Sequence, residues 1–215
     1  GTFTFTGTPA GTISTNNGTV SATALPPATY TSTETVPAGW TLSNIVCTGQ
    51  TSSTVTIGAS GGFDAGDTSV AIGLAAGEDV TCTFTNTKNG SITIKKVMQG
   101  GTGTFTFTGS PSGTISTNNG TITQSVQPGT FTSTETVPSG WALTGISCDD
   151  GDSTGNTGTG AATFIVGAGE DVICTFTNTK NGSITIKKVM QGGTGTFTFT
   201  GSPSGTISTN NGTIT

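Results

Sequence analysis

Three side chains that are costly to bury sit where strand parity turns them inward: the amine of Lys96, the carboxyl of Glu135 and the amide of Asn178. Lys96 follows Ile92 and Ile94 at alternate positions. Glu135 follows Phe131 and Ser133, and Asn178 follows Cys174 and Phe176. Successive strand residues point to opposite faces, so each polar group shares a face with the apolar residues before it. A buried charge must be paired or neutralised. An amine, an acid and an amide in one core can achieve that together. Lys95 has the opposite parity and is expected in solvent.

The four cysteines form a second constellation. Cys47 with Cys82, and Cys148 with Cys174, fall at matching places in a repeated sequence. The spacing is not that of a C-x-x-C metal site, and the chain has no His to complete one. Two intra-unit disulfides are expected, with buried free thiols as the alternative. Each would close a loop of roughly 25–35 residues, worth about 3.5–4 kcal/mol in the chain-entropy model. Disulfides would place the chain outside the cytoplasm.

The elements that carry these residues are repeats. "GTFTFTG" begins at Gly1, Gly103 and Gly195, so the units are 102 and 92 residues apart. Residues 89–123 and 181–215 are identical. This length suits one β-sandwich domain and is too long for a solenoid coil or propeller blade. A unit that starts at "NGSITIKKV" makes 90–180 complete. Residues 1–88 then lack a first strand, and 181–215 begin a third unit. The chain opens on Gly without a leader pattern and is read as a mature segment or a window on a longer array.

Within the complete unit, alternation predicts strands over 91–97, 103–109, 130–137, 141–148, 161–166 and 171–179. "GTISTNNGTIT" at 113–123 carries Asn-Gly between two β-prone arms and predicts a hairpin. About seven strands and no helical pattern predict an all-β fold, a two-sheet antiparallel sandwich repeated end to end. Outward Thr residues suit exposed strand faces.

"GSITIKKV…GTFTFTG", "TETVPSGW" and "CTFTNT" resemble the Cna-B type domains of Gram-positive pilins and surface adhesins, in the family's order and in essentially every unit. The resemblance implies a transthyretin-like (prealbumin-like, Ig-like) sandwich. It also implies a spontaneous isopeptide bond between a first-strand Lys and a last-strand Asn, assisted by a Glu. Carried over position by position, Lys96 is the amine, Asn178 the amide and Glu135 the acid. Glu34 and Asn86 correspond in the first unit, and Lys188 in the third. Burial fits these roles: a desolvated Lys loses its proton more readily and becomes a nucleophile. A Glu with a raised pKa can donate a proton and take another. The cysteine pair is not part of the pilin pattern. An unreacted hydrogen-bonded cluster is the other reading of the same three residues.

The remaining signals exclude more than they assign. Net charge is −5 and only 8% of residues are charged, without a basic stretch, so nucleic acid is not an expected partner. No apolar run is long enough to span a membrane as a helix. Without His there is no Ser-His-Asp triad, and no nucleophile–base pair can be built, so no enzyme and no cofactor are expected. Asp149, Asp150, Asp152 and Asn156 only vaguely suggest a calcium loop; a solvated acidic loop and no metal are expected. Trp40 and Trp141 read as core or sheet-edge aromatics. The expectation is an extracellular or cell-surface stalk, pilus-like filament or adhesin shaft whose partners are copies of itself, by a longer array or by strand donation. The alternative is a module that binds ice or glycan through its outward Thr rows.

Overall fold

The computed structural model describes all 215 residues and contains strands but no helix. In the first unit the strands are β1 (Phe3–Gly7), β2 (Gly11–Ile13), β3 (Ala28–Thr35), β4 (Trp40–Thr48), β5 (Thr54–Ile57), β6 (Ser69–Leu74) and β7 (Thr81–Lys88). In the second they are β8 (Gly90–Gln99), β9 (Phe105–Gly109), β10 (Gly113–Ile115), β11 (Thr121–Val126), β12 (Gly129–Thr136), β13 (Trp141–Cys148), β14 (Thr154–Asn156), β15 (Ala161–Val166) and β16 (Asp171–Lys180). The last segment holds β17 (Ile186–Lys187), β18 (Phe197–Phe199), β19 (Gly205–Ile207) and β20 (Thr213–Ile214).

The second unit is a two-layer sandwich. One sheet runs β10-β9-β12-β15-β14 and the other β11-β8-β16-β13. The inward faces interdigitate: Phe107 from one sheet meets Phe176 from the other edge to face, with centroids 5.1 Å apart. Ile92, Ile94, Phe105, Phe164, Val172 and Phe176 are fully buried, and Thr106 and Thr108, which alternate with the two Phe of β9, are exposed. Gly109 closes β9 at φ +99, where a Cβ would lie 2.2 Å from the Thr132 carbonyl oxygen. Ser133, an apparent polar intruder in the core, donates its hydroxyl hydrogen to the Pro111 carbonyl at 2.7 Å.

Two expectations are corrected here. The sandwich is not wholly antiparallel: β8 and β16 run parallel over nine register pairs, from Ser91↔Asp171 to Gln99↔Thr179. Alternation cannot reveal this, because it reports which face a residue takes and not the direction of the neighbouring strand. The Asn-Gly segment is also not a hairpin. Its arms enter different sheets, β10 pairing with β9 and β11 with β8.

The first unit repeats the five-stranded sheet as β2-β1-β3-β6-β5, whereas its second layer is only β4-β7. Its buried apolar residues are correspondingly few: Phe5, Leu42, Ile45, Ile57 and Val70. The consequence is visible at identical residue types. Cys174, Phe176 and Asn178, on the strand beside β8, are fully buried, but Cys82, Phe84 and Asn86 are half-buried.

Candidate functional site

Lys96 and Asn178 reach each other because β8 and β16 are parallel neighbours. The register pairs Lys96 with Phe176 and Met98 with Asn178, so the two polar side chains are diagonal neighbours on one inward face. Glu135 comes from the facing sheet, on β12 opposite Phe107 of β9. Lys96 Nζ lies 3.2 Å from Glu135 Oε1, and both side chains are wholly excluded from solvent. The amine also donates to Asn178 Oδ1 and, at 3.1 Å, to the Phe176 carbonyl. The Phe105 ring packs 4.2 Å from the amine, and Trp141 closes that side by edge-on contact with Phe105.

Burial opposes both charges. Desolvation lowers the Lys96 pKa, with Glu135 pulling it back up. Desolvation raises the Glu135 pKa, with Lys96 and then Asn178 opposing. Burial thus disfavours the charged form of both groups, while each group's proximity favours the other's charge. Asn178 Nδ2 is buried without a hydrogen-bond partner. The arrangement is therefore an amine held against an amide oxygen, with a carboxyl 3.2 Å from the amine.

The first unit contains the same acid and amide. Asn86 Nδ2 donates to Glu34 Oε1 at 2.7 Å. Glu34 Oε2 and Asn86 Oδ1 are buried without partners. Burial raises the Glu34 pKa, and the Asn86 hydrogen bond opposes the rise. Lys188 meets neither group; its amine sits 4.3 Å from the Phe197 ring centroid. Lys95 lies on the outer face, half-buried rather than fully solvated.

Disulfides join Cys47 to Cys82 and Cys148 to Cys174. Each links directly opposed residues of two antiparallel strands, β4 with β7 and β13 with β16. Carboxylate oxygens of Asp150, Asp152 and Glu170 lie within 4.8 Å of one another. Three such ligands fall short of the six to eight oxygens that calcium takes. The neighbouring acidic-loop residues serve the backbone: Asp149 accepts from the Ile173 amide, and Asn156 from those of Gly158 and Thr159.

One element of the site is not evident from residue spacing. The Thr117–Gly120 corner bonds to the backbone of Lys96 itself: Lys96 N–H donates to Gly120 O, and Asn119 N–H to Lys96 O. The Asn-Gly pair signals a turn, but what that turn holds depends on the other sheet.

These features define tandem β-sandwich domains with a buried polar triad in the second. The chain belongs to the prealbumin-like fold domain family, whose model matches residues 1–88 and 92–180. Among solved structures, the major pilin protein (T-13) from Streptococcus pyogenes serotype GAS131465 is similar to this chain, with 13% identity over 84% of this chain and 88% of the pilin, and a TM-score of 0.30. No curated protein matches the chain. No helix is long and apolar enough to cross a membrane.

Proposed function

We propose that this chain is a load-bearing extracellular repeat protein of a pilus, stalk or adhesin shaft, and that its complete domain forms a Lys96–Asn178 isopeptide bond. The observation that carries this reading is the buried amine in contact with the Asn178 amide and 3.2 Å from Glu135. The uncharged Lys96 Nζ attacks Asn178 Cγ. The Nζ–Cγ bond forms, the Cγ–Nδ2 bond breaks, and Glu135 relays one amine proton to Nδ2, which departs as ammonia. Packing supplies the proximity, and the event happens once per domain. It is a self-modification without turnover.

The topology gives this bond a mechanical meaning. The unit is entered at Gly90 on β8 and left at Lys180 on β16, and these strands are parallel neighbours. Tension across the unit would shear the β8–β16 ladder. The crosslink ties these two strands, and the Cys148–Cys174 disulfide ties β16 to β13. Between units, β7 ends at Lys88 and β8 begins at Gly90, leaving little slack. Residues 181–215 read as the beginning of a third domain. A strand with the sequence SITIKKV, from a preceding repeat or from another copy of the chain, would complete the first domain beside β7 and bring an amine to Glu34 and Asn86. Two disulfides suit an oxidising, extracellular setting.

Intact mass of the purified chain tests the crosslink. The expected result is a loss of one ammonia, with the linked fragments of β8 and β16 recovered together after digestion. Full unmodified mass overturns it.

A second reading has one observation in its favour. The outer face of the five-stranded sheet carries no charge, and Thr114, Thr106 and Thr136 stand in register across it. Such a face suits an uncharged polyhydroxyl surface, a glycan or ice. Glycan-array binding or ice-recrystallisation inhibition by this chain, lost on Thr106→Lys, would support that reading; no effect in either assay would remove it.

A further inference from the structure

We propose that the Thr117–Gly120 corner is a positioning device that sets the Lys96 amine before the last strand arrives. This rests on the crosslinking reading above. The β8–β11 ladder ends at the Lys95↔Thr121 pair, because the chain before Thr121 crosses to β10 in the other sheet. Lys96 would lose its partner on that side without a substitute. The corner supplies one. Lys96 N–H donates to Gly120 O at 2.9 Å, and Lys96 O accepts from Asn119 N–H at 2.7 Å. Asn118 Oδ1 accepts from Met98 N–H at 2.7 Å. The corner is closed by Gly120 N–H to Thr117 O at 3.0 Å.

Local chemistry builds this shape. Asn119 adopts φ 62, a left-handed conformation that Asn tolerates and β-branched residues resist. A Cβ at Gly120 would stand 2.7 Å from both Ile115 Cγ2 and Thr117 Oγ1, so Gly is required there. Asn17 adopts φ 58 in the first unit, where no lysine strand lies against the corner. The corner thus takes its form from its own residues.

The last segment separates the corner's role from that of β16. There Lys188 N–H donates to Gly212 O at 3.0 Å, and Asn211 N–H to Lys188 O at 2.9 Å. Met190 N–H donates to Asn210 Oδ1 at 2.7 Å. The lysine backbone is clamped in the same way without an Asn-bearing strand beside it. The lysine is also already placed over a Phe ring, at 4.3 Å for Lys188 and 4.2 Å for Lys96. The corner's hold on the lysine backbone therefore does not depend on β16, and under this proposal β16 would bring the amide to an amine whose backbone is already held. Asn118, Asn119 and Gly120 are positioning residues that touch no reacting atom.

The test compares paired substitutions in the whole chain. Asn118→Ala removes the acceptor for Met98 N–H, and Asn118→Asp keeps it. Asn119→Val opposes the left-handed conformation, and Asn119→Gly permits it. Protein held in denaturant from synthesis onward is diluted to start folding. Ammonia loss is followed by intact mass and strand formation by circular dichroism. Asn118→Ala and Asn119→Val are expected to slow ammonia loss about tenfold to a hundredfold at equal strand content, as misplacement of a reacting group does. Asn118→Asp and Asn119→Gly are expected to restore the rate. Equal rates in all variants, or slowing only in proportion to slower folding, overturn the proposal. If the wild-type chain keeps its full mass, the crosslinking reading falls by itself. Positioning is then judged from the Lys96 amine titration by NMR, which moves back toward its ordinary value in Asn118→Ala and not in Asn118→Asp; identical titrations overturn it.

Discussion

Lys96→Met is the most informative single change. It removes the amine, keeps an unbranched apolar stem in a fully buried position and makes the crosslink impossible. Lys96 and Asn178 are 82 residues apart in sequence. Closing a loop of that size is worth about 4.5 kcal/mol of unfolded-chain entropy at 25 °C, and slightly less when the disulfide inside the loop is counted. For a domain spanning residues 90–180, that corresponds to roughly 20–30 °C in Tm. The loss is partly offset, because Met is cheaper to bury than an amine. The net expectation is a second-domain transition lowered by at least about 10 °C. Scanning calorimetry on the whole chain would read it, with intact mass on the same samples. With both disulfides reduced, the wild type should be lighter than its sequence by one ammonia, and Lys96→Met should match its sequence. An unchanged transition together with a full-mass wild type would refute the covalent reading and leave a hydrogen-bonded cluster.

Three further outcomes follow from the same geometry. Replacing Cys148 and Cys174 by Ser opens a link between residues 26 apart and should cost about 3.5 kcal/mol, read by urea unfolding of the second domain. Phe176→Ala, in the full sandwich, should cost about 3–5 kcal/mol, and Phe84→Ala, half-buried at the equivalent place, clearly less; equal costs would contradict the different burial of the two repeats. Glu34 has a folded pKa raised by burial, so the stability it contributes is full below its unfolded value, about 4.3, and is lost as pH rises through the folded value. Glu34→Gln should flatten that fall, monitored by Trp40 fluorescence in a Trp141→Phe background; a slope that survives would assign it to another group.

Much of the site was legible from residue types and parity. Two-residue periodicity placed Lys96, Glu135 and Asn178 on inward faces, because a strand has only two faces and the apolar residues mark one of them. The matched cysteines indicated the disulfides. Both the parallel β8–β16 pair and the sheet-switching corner escaped this reading. Strand direction and partner choice involve contacts between residues some 80 positions apart, and alternation carries no information about them. The corner shows the limit well. Asn119-Gly120 requires a turn, yet nothing local says whether its arms pair with each other or with strands in two different layers.

The amino-acid sequence thus determined the repeat, the strand faces, the polar triad and the cysteine pairs, all of which depend on local periodicity or repetition. Only the tertiary structure decided which polar groups meet. Glu34 and Asn86 have the same residue types as Glu135 and Asn178, yet they bond only to each other and meet no amine, because no lysine strand lies beside β7. Lys188 has the local surroundings of Lys96 but meets neither a Glu nor an Asn. The physical reason is that the amine–acid–amide arrangement belongs to three strands in two sheets. Its amine becomes buried and unable to hold its proton normally only where β8, β12 and β16 close around it.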